Sequence, residues 1–270
     1  MQLPILALAL ITYLVPAVYV AKLFFAGTTP NRTQRFAVLG TVLCALLLHG
    51  FVMANAFGAA VLDGSAQLSM VNVVSLLAWT MVVVLTLSHV FITQWSLLSV
   101  TLGFAGLTCL LAIVAPESYI LDQDTQAPMV THVVLSLTGY GCVVVALLYA
   151  LQMRYIHQQL KTKQLNPTVL TLPPLLQVEH WVLRLIYIGS ILLTFALISG
   201  FLTLDTMFAK EYAHKTVLSA SALLLFVAML FWQKRWGLTP KTILVITSVG
   251  VAILTLGYFG SRFVQDILLT

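Results

Sequence analysis

The chain has 270 residues, 60% of them hydrophobic and 8% charged, with a mean hydropathy of +1.03. So little polar material cannot cover a water-soluble globule, and the expected fold is all-α, a polytopic integral membrane helix bundle solvated by lipid. A net charge of +5 would suggest nucleic acid in a soluble protein, but no basic stripe with interleaved aromatics occurs and the cations fall at the ends of apolar runs, so membrane lipids are expected as partners and nucleic acid is not.

A helix needs about 20 apolar residues to cross the hydrocarbon core of a bilayer. Such runs occur at Leu3–Phe25, Phe36–Gly58, Leu68–Phe91, Leu97–Val114, Met129–Met153, Trp181–Leu204, Lys215–Trp232 and Thr242–Val264. They predict about eight transmembrane helices in a single transmembrane domain over residues 1–270. The first run has no Lys or Arg ahead of it and no small-residue cleavage signature behind it, which predicts a retained helix with no removable signal peptide.

Positive charge holds its flank of a helix in the cytoplasm. The first, fifth and seventh connections carry Arg32 and Arg35, then Arg154, Lys161 and Lys163, then Lys234, Arg235 and Lys241, while the third is short and uncharged. The alternate connections hold Asp63, then Glu117, Asp122 and Asp124, then Asp205 and Glu211, leaving Glu179 as the one acid on the opposite side. This pattern predicts that the N-terminus and the C-terminus are both extracytoplasmic.

Polar groups at membrane depth are costly, so the histidines and the few charges there are the first places to look for function. His49, in LCALLLHGFVMAN, sits well inside the second helix, where it either binds a haem at depth or hydrogen-bonds across helices. His89 falls near the cytoplasmic end of the third helix, and with His157 and His180 it is expected to be an ordinary wetted histidine. The cysteines Cys44, Cys109 and Cys142 stand singly in apolar runs, with no CxxC or CxxCH, and read as packing residues.

His132 lies in the first turn of the fifth helix and His214 at the start of the seventh, both at the external face under the predicted topology. Two neutral imidazoles at matching depth can take the two axial positions of a haem iron; equally, each can be an interfacial histidine bonding water or a helix end. The fifth helix continues as the basic stretch RYIHQQLKTKQ, followed by Asn166-Pro167 and Pro173-Pro174, which should break it; the apolar TVLTLPPLL is expected in the membrane interface. Arg184 and Arg262 lie just inside helix ends, where they either snorkel to phosphates or, for Arg262 with Lys210 and Lys215, pair with haem propionates on the external side. Tyr119, Tyr212, Tyr258 and Phe259 suit a porphyrin wall, although aromatics concentrate at bilayer interfaces in any case. Small residues at Ala54, Gly58, Gly139, Gly189, Gly200, Gly257 and Gly260 are expected to let helices approach closely.

The second half, through HVVLSLTGYG, LPPLLQVEHWVLRLIYIGSILLTFALISGF, AHKTVLSASALLLF and LTLGYFGSRFVQDIL, resembles the cytochrome c assembly family of CcsA, CcmC and HemX-like proteins. Within that family the likeness is to the small YpjD-type inner-membrane proteins of bacteria. The resemblance covers Met129 to Leu268, and the first four helices match only in being hydrophobic. It implies a multi-pass protein of the bacterial inner membrane that binds haem b non-covalently, with His132 in the place of the family's external haem ligand.

Two features depart from that pattern. The family's tryptophan-rich WWD segment should fall at Leu204 to Ala213, where this chain has no tryptophan, and the chain ends FVQDILLT without the second external histidine. His214 is therefore the expected partner of His132, with His49 a deeper third site.

The sequence contains no glycine-rich phosphate loop, GxSxG elbow, HExxH or buried carboxylate pair, so a binding protein is expected and an enzyme is not. The leading expectation is a haem-binding or haem-handling assembly factor of the cytochrome c type, contacting other membrane or haem-metabolism proteins. The alternative is a haem-free structural or regulatory subunit that stabilises a partner. A transporter is disfavoured, because no inverted repeat with matched broken helices and no midplane acid is present.

Overall fold

A computed structural model describes residues 2–63, 70–93, 95–114, 127–163, 166–203 and 213–260; within these, the side chains of residues 2, 59–63, 127, 128, 203, 213, 214, 259 and 260 are excepted. Among the described residues there are nine α-helices and no strand: α1 (Gln2–Phe25), α2 (Arg32–Asp63), α3 (Met70–His89), α4 (Trp95–Val114), α5 (Ala127–Thr162), α6 (Pro167–Leu170), α7 (Leu175–Thr203), α8 (Ala213–Trp236) and α9 (Pro240–Thr255). A π-helical turn, Leu256–Gly260, follows α9. Eight helices are long and apolar enough to cross a membrane. Only helices satisfy every backbone polar group within one segment, which is why apolar runs of this length adopt them in lipid.

The helix ends are set by local chemistry. Gly27, at φ +67°, closes α1, with the Thr28 amide donating to the Leu23 carbonyl at 3.0 Å; only glycine takes this left-handed conformation without a Cβ penalty. Asn31 and Gln34 then form a reciprocal capping box at the start of α2: each backbone amide donates to the other's side-chain oxygen, at 2.8 and 2.9 Å. Thr239 caps α9 in the same spirit, its hydroxyl accepting from the Thr242 amide at 3.2 Å, with Pro240 in the first turn.

The basic stretch after the fifth span is helical to Thr162, as its composition predicts. Asn166-Pro167 and Pro173-Pro174 then act as starts as much as stops. Pro167 opens the single-turn α6, and α7 begins at Leu175, directly after Pro174 and six residues before the predicted start at Trp181. Proline fixes a helical φ and donates no N–H, and the first turn of a helix is where that lack costs nothing.

The chain divides into two compact units. The first comprises residues 1–130 and 158–174, in which α1 packs against α2 and α4, and α3 against α4. Gly106 lets α4 meet Leu14 of α1, since a Cβ there would come within 2.8 Å of the leucine, and the Ser99 hydroxyl donates to the Ala17 carbonyl at 2.6 Å. Gly50 of α2 receives the Trp79 ring of α3, whose indole N–H donates to the Leu46 carbonyl at 2.9 Å.

The second unit comprises residues 131–157 and 175–270, with α8 packed between α7 and α9. Gly189 of α7 lies against α5, where an added Cβ would stand 2.7 Å from Val143 and 3.1 Å from the Gly139 carbonyl. Gly250 of α9 is filled by the Phe226 ring of α8. Of the glycines expected to mediate close approach, Gly139 and Gly189 do so, while nothing among the described residues lies within 4 Å of a Cβ at Gly58. Cys109 and Cys142 are buried packing residues, whereas Cys44 is on the exposed surface of its helix.

Candidate functional site

In the second unit, the first turns of α5 hold His132 beside α7. Its Nδ1 lies 2.8 Å from the Ala196 carbonyl oxygen, with the Ser199 hydroxyl at 3.3 Å, and Ser199 itself donates to the same carbonyl at 2.9 Å. A carbonyl only accepts, so Nδ1 carries the proton and the ring is held as the tautomer whose Nε2 has the lone pair. Nε2 lies 3.5 Å from the hydroxyl of Ser136, one turn further along α5, a distance too long for a strong bond. The ring is thus anchored through one nitrogen while the other keeps its lone pair.

A polar chain continues from this histidine. Ser136 hydrogen-bonds Tyr258, which lies in the π-helical turn and packs on Tyr140 with ring centroids 5.3 Å apart; the Tyr140 hydroxyl meets that of Thr255 at 2.7 Å. π-Helical turns are rare and are frequent at functional sites. Gly257, which precedes Tyr258, lies beside the first turn of α8: a Cβ added there would stand 3.9 Å from the Lys215 carbonyl. Ser136, one turn beyond His132 on α5, and the first turns of α8, which carries His214, therefore both meet the π-helical turn.

The side chain of His214 is outside the described ones, and Arg262, Lys210, Tyr119 and Tyr212 lie outside the described residues, as does the side chain of Phe259. The segment expected to correspond to the WWD motif also lies outside them. Arg184 stacks over the Trp181 ring, 5.4 Å from its centroid. Among the described residues, no group of three or more His, Cys, Asp or Glu is gathered as metal ligands would be.

His49 belongs to the first unit, where it is 0% exposed. Both ring nitrogens are engaged: Nδ1 with the Tyr13 hydroxyl of α1 at 3.3 Å, and Nε2 with the Ser75 hydroxyl of α3 at 2.8 Å. Cys109 of α4 adds its sulfur at 3.9 Å from Nδ1. Four helices thus converge on one imidazole, and hydrogen bonding across helices, one of the two roles open to this residue from sequence, is the one the geometry realises.

His89 corrects an expectation. It is buried rather than wetted, with its ring edge-on to Trp95 at a centroid distance of 4.3 Å. The short turn between α3 and α4 folds the first residue of α4 back over the last residue of α3. His180 is exposed and His157 half-buried.

Sequence reasoning found His132 and His49 because a histidine at membrane depth is conspicuous. It missed Ala196, Ser199, Ser136, Tyr140 and Tyr13. The first acts through its backbone, which no side-chain pattern announces, and the others are common residues whose role appears only once helices are paired.

Residues 6–269 match the family described as cytochrome C assembly protein. The chain belongs to that family. The match extends over the first four helices, which from sequence were alike only in hydrophobicity, so the family likeness is wider than the second-half motifs implied.

Two relatives illustrate it. The chain is 33% identical to the inner membrane protein YpjD of Escherichia coli over 238 residues, 87% of this chain and 88% of that protein. It is 27% identical over 161 residues to a 28.8 kDa protein of Azospirillum brasilense, covering 55% of this chain and 59% of the relative. No solved structure matches the chain. With its eight apolar spans, this member of the cytochrome c assembly family is a YpjD-like, multi-pass inner-membrane protein.

Proposed function

We propose that this family member binds haem b non-covalently at the extracytoplasmic membrane face, as a haem-handling protein of cytochrome c assembly rather than an enzyme. His132 is one axial ligand and His214 the other, with Arg262 available to a propionate. The observation that carries the reading is the bond from His132 Nδ1 to the Ala196 carbonyl. Ligating histidines characteristically donate their second nitrogen to a carbonyl or carboxylate, which fixes the tautomer and ring orientation and raises the basicity of the ligating nitrogen. Meeting of Ser136, one turn beyond His132, and the first turns of α8 at the π-helical turn supports His214 as the partner.

The chain's own residues supply binding and orientation. The Ala196 carbonyl and the Ser199 hydroxyl hold the imidazole, Ser136 and Tyr258 flank its Nε2 side, and the apolar helices exclude water from the ligand's faces. Bound haem would supply a redox-active iron, carried as cargo to partners among membrane or haem-metabolism proteins. His49 is left out of the site because both of its nitrogens already bond hydroxyls.

The test is a set of reduced-minus-oxidised spectra on protein purified in mild detergent with haem supplied. Wild type and His49→Ala should show sharp b-type bands, and His132→Ala and His214→Ala should lose them. Stoichiometrically haem-free wild-type protein would overturn the reading and leave a structural or regulatory subunit in its place.

A further inference from the structure

The second unit carries an aromatic and basic patch that the haem reading leaves unused. It lies where α8 ends and α9 begins, across a connection of only three residues, 237–239. Gly237, at φ +74°, turns the chain, its amide donating to the Gln233 carbonyl at 3.1 Å, and α9 restarts on the Thr239 cap.

Three rings occupy the last turns of α8. Trp236 lies against Trp232, one turn back, with centroids 6.3 Å apart, and against Phe231 at 6.1 Å. Phe231, Trp232 and Trp236 are nevertheless 64%, 53% and 65% exposed, so the cluster is a surface and not a core. The Arg235 guanidinium stands 5.9 Å from the centroid of the Trp236 ring, which holds a cation beside the aromatics. Lys234, Arg235 and Lys241 are all exposed, and the sequence has no acid from Phe231 to Tyr258. Glu179 of α7, which reaches this end of α8, is half-buried and accepts from the Gln233 side-chain amide at 2.9 Å.

The level of the patch and its charge select the ligand. The apolar spans Lys215–Trp236 and Pro240–Tyr258 end and begin at it, which places it in the headgroup layer of the bilayer. Indole rings favour that layer, and a guanidinium there can give two parallel N–H bonds to a phosphodiester. A zwitterionic headgroup would bring its own cation against Lys234, Arg235 and Lys241, whereas a headgroup of net negative charge complements them. We propose that the α8–α9 turn seats one anionic phospholipid. Its phosphodiester is held by the three cations, and its glycerol backbone and upper acyl chains lie along the Phe231, Trp232 and Trp236 rings.

The experiment uses full-length protein stripped of lipid in detergent and titrated with phosphatidylglycerol or phosphatidylcholine in mixed micelles, with lipid-bound species counted by native mass spectrometry. Wild type should hold phosphatidylglycerol the more tightly of the two. Lys234→Gln/Arg235→Gln should hold it about tenfold more weakly than wild type, the loss expected on removing two cations next to an anionic headgroup. Lys161→Gln/Lys163→Gln removes the same charge from the helical extension of α5 and should change retention by less than about twofold, because no ring cluster adjoins it. Trp232→Ala/Trp236→Ala keeps every cation and should also weaken retention; Lys241→Gln serves if a paired variant does not fold. Equal losses in the two charge variants would overturn the proposal in favour of unspecific attraction between cations and anionic lipid. Unchanged retention in Lys234→Gln/Arg235→Gln, or equal retention of the two lipids by wild type, would overturn it outright. Complete displacement of phosphatidylglycerol by glycerol phosphate would overturn it in favour of a free anion.

Discussion

At the scale of single residues, two histidines in the same chain are held for different purposes. His132 is tied through one nitrogen to a backbone carbonyl, which leaves the lone pair on the other, whereas His49 is tied through both to hydroxyls of neighbouring helices. Removing the second ring strands the Tyr13 and Ser75 hydroxyls in a buried place and opens a void. His49→Ala is expected to destabilise the folded protein by about 3 kcal/mol, seen as a lower thermal midpoint in detergent, with His49→Gln recovering part of it because an amide still reaches a hydroxyl. His132 was singled out in the sequence by its place at the head of a helix and by the resemblance to the family's pattern. Its anchor was not, because every residue carries a carbonyl and only the pairing of α5 with α7 selects that of Ala196.

At the scale of helices, association in lipid depends on how near two backbones approach, since lipid tails are as apolar as leucine and give no hydrophobic expulsion. Gly189 and Gly139 provide that approach between α5 and α7, and no Cβ fits between them without displacing Val143 or backbone. Gly189→Ala should therefore cost about 1–3 kcal/mol through overpacking, measured by thermal unfolding. Gly40→Ala is the control: nothing lies within 4 Å of the new methyl, and the substitution should be neutral or stabilising by about 0.5–1 kcal/mol. The glycines looked alike in sequence. Which of them touch a neighbour depends on the rotation of each helix about its axis, and an apolar run surrounded by lipid has no polar face to announce that rotation.

At the scale of the whole molecule, the distribution of Lys and Arg predicts which connections stay inside the cell. On a Cys44→Ala background, Asp122→Cys should be labelled in intact cells by a membrane-impermeant thiol reagent, and Lys241→Cys should be labelled only after permeabilisation. The reverse pattern would invert the topology and remove the proposed extracytoplasmic haem site with it. Cys109 and Cys142 are buried and should stay silent in both arms.

The sequence by itself determined the eight spans, the helical extension after the fifth and the family, because transfer of an apolar run into lipid and the breaking action of proline are local properties that each segment carries alone. Tertiary structure decided which polar side chains meet. The four helices around His49, the carbonyl that orients His132 and the burial of His89 under Trp95 all depend on helix rotation and register, set by packing between segments distant in the chain.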